Sequence, residues 1–137
     1  MSEELVPLSC HKIMQSSAYT LFLLEGEEKK FAIYTDPKVG EDIEQFLSEE
    51  GAPRPKTHDL VNKLLNGLDA RLLQVVIHDL EDTVYFAKLF VEQMQDNQKT
   101  ILEVDARPSD CLTLAIYNNI PIFGTKDLLE KTIQVES

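Results

Sequence analysis

Val104-Asp105-Ala106-Arg107-Pro108-Ser109-Asp110-Cys111 carries a strand into a helix, and the chain is organised around that junction. Upstream, Thr100 to Asp105 reads as a strand. Downstream, Pro108 opens a helix with Cys111, Leu112, Ala115 and Ile116 on one face, stopped by Asn118-Asn119. Side chains alternate along a strand, so Glu103 and Asp105 share a face, roughly 6.5–7 Å apart at the backbone. Asp110 follows in the first helical turn. Three carboxylates around one corner could hold Mg²⁺ or Mn²⁺, which take oxygen ligands, keep several waters and polarise a phosphoryl group. Arg107 could bind a phosphate oxygen, with Ser109 beside it. The same residues also make a good helix start: Asp105 or Ser109 as acceptors for backbone N–H, Asp110 on the helix dipole, Arg107 paired with a carboxylate. Both accounts stand at this point.

An echo of the junction lies earlier, at Pro53-Arg54-Pro55-Lys56-Thr57-His58-Asp59-Leu60. The two prolines hold the connector extended, Thr57 is a candidate N-cap, and Asp59 suits the positive end of the helix. Leu60, Val61, Leu64, Leu65 and Leu68 recur at helical spacing and predict a buried stripe that closes near Gly67. His58 beside a carboxylate could be a general base or a hydrogen-bonded first-turn residue. Arg54 could clamp an anion or join a salt bridge. If the two junctions form one site, they must meet in space.

Around them, residues 5–14 and 17–24 read as strands, the second apolar on both faces, and the polar run Glu25 to Lys30 as a turn into a short strand from Phe31 to Tyr34. Asp36-Pro37 opens a helix whose apolar face is Val39, Ile43, Phe46 and Leu47, ended by Gly51-Ala52-Pro53. Leu72 to Ile77 predicts a central strand, with His78 to Asp82 as its polar exit. Val84 to Met94 and Thr100 to Asp105 complete an antiparallel meander. Ile120 to Phe123 reads as an edge strand, where Pro121 is tolerated. Thr125 caps a last helical turn through Leu129, and the tail is polar. The expected fold is α+β: a single domain over 1–137, its core about 5–129, with a mainly antiparallel sheet flanked by three to four helices.

The net charge of −11 disfavours non-specific binding to nucleic acid or anionic membrane unless cations bridge. A content of 43% hydrophobic residues is globular, yet no run approaches a membrane span. The start Met1-Ser2-Glu3-Glu4 lacks the basic region of a secretory signal. Cys10 and Cys111, each in an apolar stretch, read as buried and reduced, which fits a cytoplasmic protein. No Cys-x-x-Cys, Gly-x-Ser-x-Gly or Gly-rich phosphate loop is present. His11, within a strand pattern, reads as no ligand, and His78-Asp79 as a solvated turn.

Arg54 to Leu60, Val76-Ile77 through Asp82, Phe86-Ala87, Val104 to Asp110 and Pro121-Ile122-Phe123 occur in an order that resembles the bifunctional nuclease domain family. These are small, mostly bacterial proteins with plant relatives, and the resemblance runs from about Leu5 to Leu129. It implies an α+β fold, self-association into homo-oligomers, and nuclease activity on DNA and RNA. On that reading Asp105 and Asp110 hold Mg²⁺ or Mn²⁺. His58, Asp59 and Arg107 carry the catalytic work, and Arg54, Arg107 and Ser109 contact the substrate. One departure stands out: Val39 occupies the place of an acidic residue at the start of the first helix, and neither Glu41 nor Asp42 is in register with it. The alternative reading is therefore a non-catalytic, oligomeric binding or regulatory module with structural Arg-Pro helix starts.

Overall fold

Short apolar runs separated by polar pairs give, in chain order, β1 (Leu5–Gln15), β2 (Thr20–Gly26), β3 (Lys29–Thr35), α1 (Pro37–Leu47), α2 (Thr57–Gly67), β4 (Ala70–Glu81), β5 (Val84–Gln95), β6 (Gln98–Ala106), α3 (Pro108–Asn118), β7 (Ile122–Thr125) and α4 (Lys126–Lys131). The structure, a computed structural model, describes residues 4–48, 50, 51 and 53–135. Met1 to Glu3 of the N-terminal stretch, Ala52 of the connector and the last two residues of the tail lie outside them. The strands form one sheet in the order β3-β2-β1-β7-β4-β5-β6, antiparallel at every joint except β4 with β7. The α+β expectation is met, with the meander β4-β5-β6 as read from the sequence.

Turn chemistry moves several boundaries. Glu27 and Glu28 (φ 50° and 66°) and Asp96 and Asn97 (φ 51° and 65°) take the left-handed pair of a two-residue hairpin loop, whose twist matches that of the flanking strands. Both hairpins are therefore tighter, and their strands longer, than the polar runs suggested. Ser16 Oγ accepts the N–H groups of Ala18 and Tyr19, which turns the chain and delays β2 to Thr20. His78 to Glu81 are not an exit but the end of β4, paired as far as Glu81 with Val84 around a bulge between Ile77 and Asp79.

The larger correction concerns β7. It is not an edge strand but lies between β1 and β4, antiparallel to the first and parallel to the second. Pro121 precedes it, so no ladder N–H is lost, and the Pro121 carbonyl accepts Val75 N–H. Gly124 leaves room for Leu8, whose Cδ1 would lie 3.1 Å from a Cβ there.

The core is fullest under α3. Cys111, Leu112, Thr113, Leu114 and Ala115 are all buried, so this helix is enclosed nearly all round rather than on one face. It touches α1, α2, β4 and β5. α1 and α2 are less well covered. Ile43 is buried, but Leu47 is exposed, and no α2 residue is fully buried. Val61 and Leu65 pack on the core while Leu60, Leu64 and Leu68 face outward, so the stripe predicted from the sequence is wider than the surface that covers it. The N-cap of α2 is Lys56, and Thr57 is its first residue. Thr125 caps α4 as expected, its Oγ1 accepting Leu128 N–H at 3.1 Å. Cys111 is buried, Cys10 half-buried, and both are free thiols. Among the described residues no helix is long and apolar enough to cross a membrane.

Candidate functional site

Pro108 at the first position of α3 gives up an N–H that would have no partner there. Arg107 occupies the N-cap with extended backbone (φ −66°, ψ 144°) and makes no side-chain cap. Its guanidinium instead turns onto Asp110, with Nε donating to Oδ2 at 3.0 Å and Nη2 to Oδ1 at 3.3 Å. From α2, His58 Nε2 comes within 3.0 Å of the same Oδ1. The two Arg-Pro junctions thus meet through His58 and Asp110, 52 residues apart in sequence. A carboxylate only accepts, so this contact puts the neutral imidazole's proton on Nε2 and leaves Nδ1 with the lone pair. The Tyr117 ring stands edge-on to His58, centroids 6.0 Å apart, and steadies it.

The electrostatics follow from this arrangement. Burial alone would raise the Asp110 carboxyl, but the hydrogen bonds from Arg107 and His58 outweigh it and hold the group below the ordinary aspartate value. The same pairing raises Arg107. Burial pushes the Cys111 thiol up to about 12, with the charges of Asp110 and Asp105 adding to it, so this neighbour is inert as a nucleophile. Tyr117 is likewise pushed up to about 12, first by burial and then by Asp59 and Asp42.

Arg107 opens onto a cavity of about 590 Å³ where the ends of β3 and β6 face each other across the start of β5. The sheet curls enough for Phe31 of β3 to stack on Tyr85 of β5, centroids 6.0 Å apart. Asp36, Asp105 and Ser109 line this cavity with Arg107. Glu103 does not, being turned to Lys88 at 3.4 Å. Arg54 lines a separate cavity of about 390 Å³ together with Lys56, Asp59, Lys63 and Tyr117. Asp59 Oδ2 accepts Lys56 N–H at 2.9 Å and closes the first turn of α2. The structure therefore gathers His58, Asp110 and Arg107, sets Asp105 and Ser109 beside Arg107, and leaves Arg54 and Asp59 at the separate cavity by the start of α2.

Three carboxylates do not converge at the corner, and among the described residues no group of three or more His, Cys, Asp or Glu side chains is placed to enclose a metal ion. Both Asp110 oxygens are engaged. The oxygen donors that remain open are Asp105 and Asp36, with hydroxyls of Thr35 and Ser109 in the same cavity. That set fits a hydrated Mg²⁺ or Mn²⁺ completed by water and phosphate, not a closed protein cage.

Asp36 is the site residue that sequence reasoning missed. It occupies the N-cap of α1, as the Asp-Pro pair predicts, but its side chain makes no cap bond and lines the Arg107 cavity. The signal was available in the Asp-Pro pair, which repeats the polar-residue-then-proline helix start of the other two junctions. Val39 lies in the first turn of α1, which carries no acid. Glu41 is exposed, and Asp42 is held 3.1 Å from Lys56 Nζ and 3.8 Å from Lys38 Nζ.

Against known proteins, residues 21–137 match the family model described as the bifunctional nuclease domain. Two curated relatives, both uncharacterized proteins of Mycobacterium tuberculosis, from strains CDC 1551 / Oshkosh and ATCC 25618 / H37Rv, are each 34% identical over 85 residues, covering 61% of this chain and 48% of theirs. The chain spans about half the length of the curated relatives it matches. With the family match covering nearly the whole chain and including both Arg-Pro junctions, the chain belongs to the bifunctional nuclease domain family.

Proposed function

We propose that the chain is a nuclease that hydrolyses phosphodiester bonds of DNA or RNA in the cavity beside Arg107, working in a reducing, cytoplasmic compartment. The observation that carries this reading is the chain His58–Asp110–Arg107, of which Arg107 lines the cavity. Asp110 fixes the imidazole with Nε2–H toward itself, so Nδ1 is the group that takes a proton from an attacking water. The Arg107 guanidinium is about three-quarters exposed and keeps donors free for a phosphoryl oxygen. Asp105 and Asp36 would hold a hydrated divalent ion, and such an ion supplies Lewis-acid polarisation of the phosphate and offsets the repulsion between a −11 protein and a polyanion. Free Cys10 and Cys111 suit the reducing compartment.

The test is cleavage of single- and double-stranded DNA and RNA by purified protein, with Mg²⁺, Mn²⁺ or chelator. His58→Gln is expected to lower the rate by roughly 10²–10⁴-fold. Arg107→Ala and Asp105→Ala are each expected to abolish most of the remainder. Cleavage that survives all three substitutions would show that the site lies elsewhere.

One observation favours a second reading, a non-catalytic binding or regulatory module: α1 lacks an acid in its first turn, and Asp59 is committed to its helix. Calorimetry with Mn²⁺ separates the two. The absence of a binding isotherm up to millimolar ion, with no cleavage, selects the module.

A further inference from the structure

The second cavity, of about 390 Å³, gathers positive charge on a chain whose net charge is −11. Arg54 and Lys56 of the connector and Lys63 of α2 line it. Two carboxylates share its wall. Asp42 is held 3.1 Å from Lys56 Nζ, and Asp59 Oδ2 accepts Lys56 N–H. Arg54 and Lys63 have no ion-pair partner among the described residues. By contrast, Arg71, Lys88, Lys126 and Lys131 are each set against a carboxylate.

The local chain presents these cations to a ligand. Pro53 and Pro55 fix the backbone on either side of Arg54, so little freedom is lost when its guanidinium is engaged. Lys56 stands at the N-cap of α2, a position that favours an acceptor side chain; lysine has none and gives no side-chain cap. Positive side chains thus collect at the positive end of an 11-residue helix, an arrangement that repels itself until an anion joins it. Another wall of the cavity is aromatic. Phe46 of α1 stacks on Tyr117 of α3, centroids 4.0 Å apart and planes 11° from parallel, and Phe46 remains 39% exposed.

We propose that this cavity binds a free nucleoside 5′-monophosphate, at a site separate from Arg107. The phosphate pairs with Arg54 and Lys63 beside the start of α2, where the forked guanidinium matches its oxygens, and the base lies on Phe46. Inorganic phosphate would leave the aromatic wall unused. A polynucleotide would bring further phosphates against an acidic surface, whereas a mononucleotide carries only the charge that this cavity can match. Arg54 thus serves a second ligand and not the phosphodiester at Arg107. Tyr117 links the two sites, since it stacks on Phe46 and stands edge-on to His58 with centroids 6.0 Å apart. Occupancy of the cavity is therefore felt at the imidazole. The site does not depend on nuclease activity; where that activity holds, the ligand has the chemical class of its end product.

Calorimetry on the full chain tests this with no cleavage readout, using the common ribonucleoside 5′-monophosphates, ribose 5-phosphate, adenosine and inorganic phosphate. At least one monophosphate is expected to bind about tenfold or more tighter than ribose 5-phosphate or inorganic phosphate, and adenosine not to bind. Arg54→Ala and Lys63→Glu, both at exposed positions, are each expected to weaken binding about tenfold or more. Phe46→Leu, which keeps the wall apolar, should remove the preference over ribose 5-phosphate. In nuclear magnetic resonance spectra the His58 ring signals should shift on saturation of wild type and stay in place in Arg54→Ala. Failure of every monophosphate to bind up to millimolar concentration, or affinity no greater than that for inorganic phosphate, overturns the proposal. So does binding abolished by Arg107→Ala and kept in Arg54→Ala, which would put the ligand in the other cavity. A single-stranded oligonucleotide that binds tighter than every monophosphate, and is lost with Arg54→Ala, overturns the mononucleotide assignment. An unmoved His58 signal overturns the link between the sites.

Discussion

Asp110→Asn tests the centre of the candidate site without changing its shape. Asn keeps the size of the side chain but loses the charge that both Arg107 and His58 address. The His58 contact is partly buried, so its loss costs about 1 kcal/mol, less than a fully buried charge-assisted bond. Arg107 is largely exposed, and solvent screening reduces its pairing to about 0.5 kcal/mol. The combined loss corresponds to a fall in melting temperature of about 5 °C for a domain of this size. The pH dependence has a definite sign. Asp110 is held below its ordinary value in the folded state, so its stabilisation is complete above about pH 4 and is lost as the pH falls through the lower folded value. Melting curves of the two proteins should differ at neutral pH and converge as the pH falls below the ordinary aspartate value. Equal melting temperatures at neutral pH, or a gap that does not narrow in acid, would refute the account of the junction.

Three further outcomes follow from the fold. Gly26→Ala would place a Cβ 2.6 Å from Leu8 Cδ2 and 3.3 Å from Val6 Cγ1 in a buried corner. Urea unfolding should show a loss of roughly 1–3 kcal/mol, because a packed core yields poorly to an added methyl group. Replacing Glu27-Glu28 with Asn-Gly should raise stability by roughly 1 kcal/mol in the same assay, since two residues that favour positive φ take over a left-handed turn. Iodoacetamide at mildly alkaline pH should leave Cys111 unlabelled in the native protein and label it after unfolding, as read by mass spectrometry. Rapid native labelling of Cys111 would contradict its burial.

The Arg-Pro junctions, the meander and the α+β class were legible in the chain because they rest on local rules. A near-continuous apolar run marks β4, side-chain alternation marks β5 and β6, proline marks the starts of α1 and α3, and Thr125 caps α4 through its own hydroxyl. Hairpin boundaries were less legible, since four acidic or amide residues at positive φ hide a two-residue turn inside a longer polar run. The apolar stripe of α2 was visible, but periodicity says only that a face is apolar and not whether another surface reaches it. Val61 and Leu65 are covered within one copy, while Leu60, Leu64 and Leu68 are not.

The sequence alone therefore determined which segments are strands and helices, and which motifs name the family. Tertiary structure decided three things that depend on long-range pairing. β7 inserts between β1 and β4 instead of closing an edge, pairing with strands from the start and the middle of the chain. Asp36 joins the Arg107 cavity only because the sheet curls until β3 faces β5. His58 and Asp110, 52 residues apart, become partners because α2 and α3 pack with their N-termini together, a contact that no local propensity encodes.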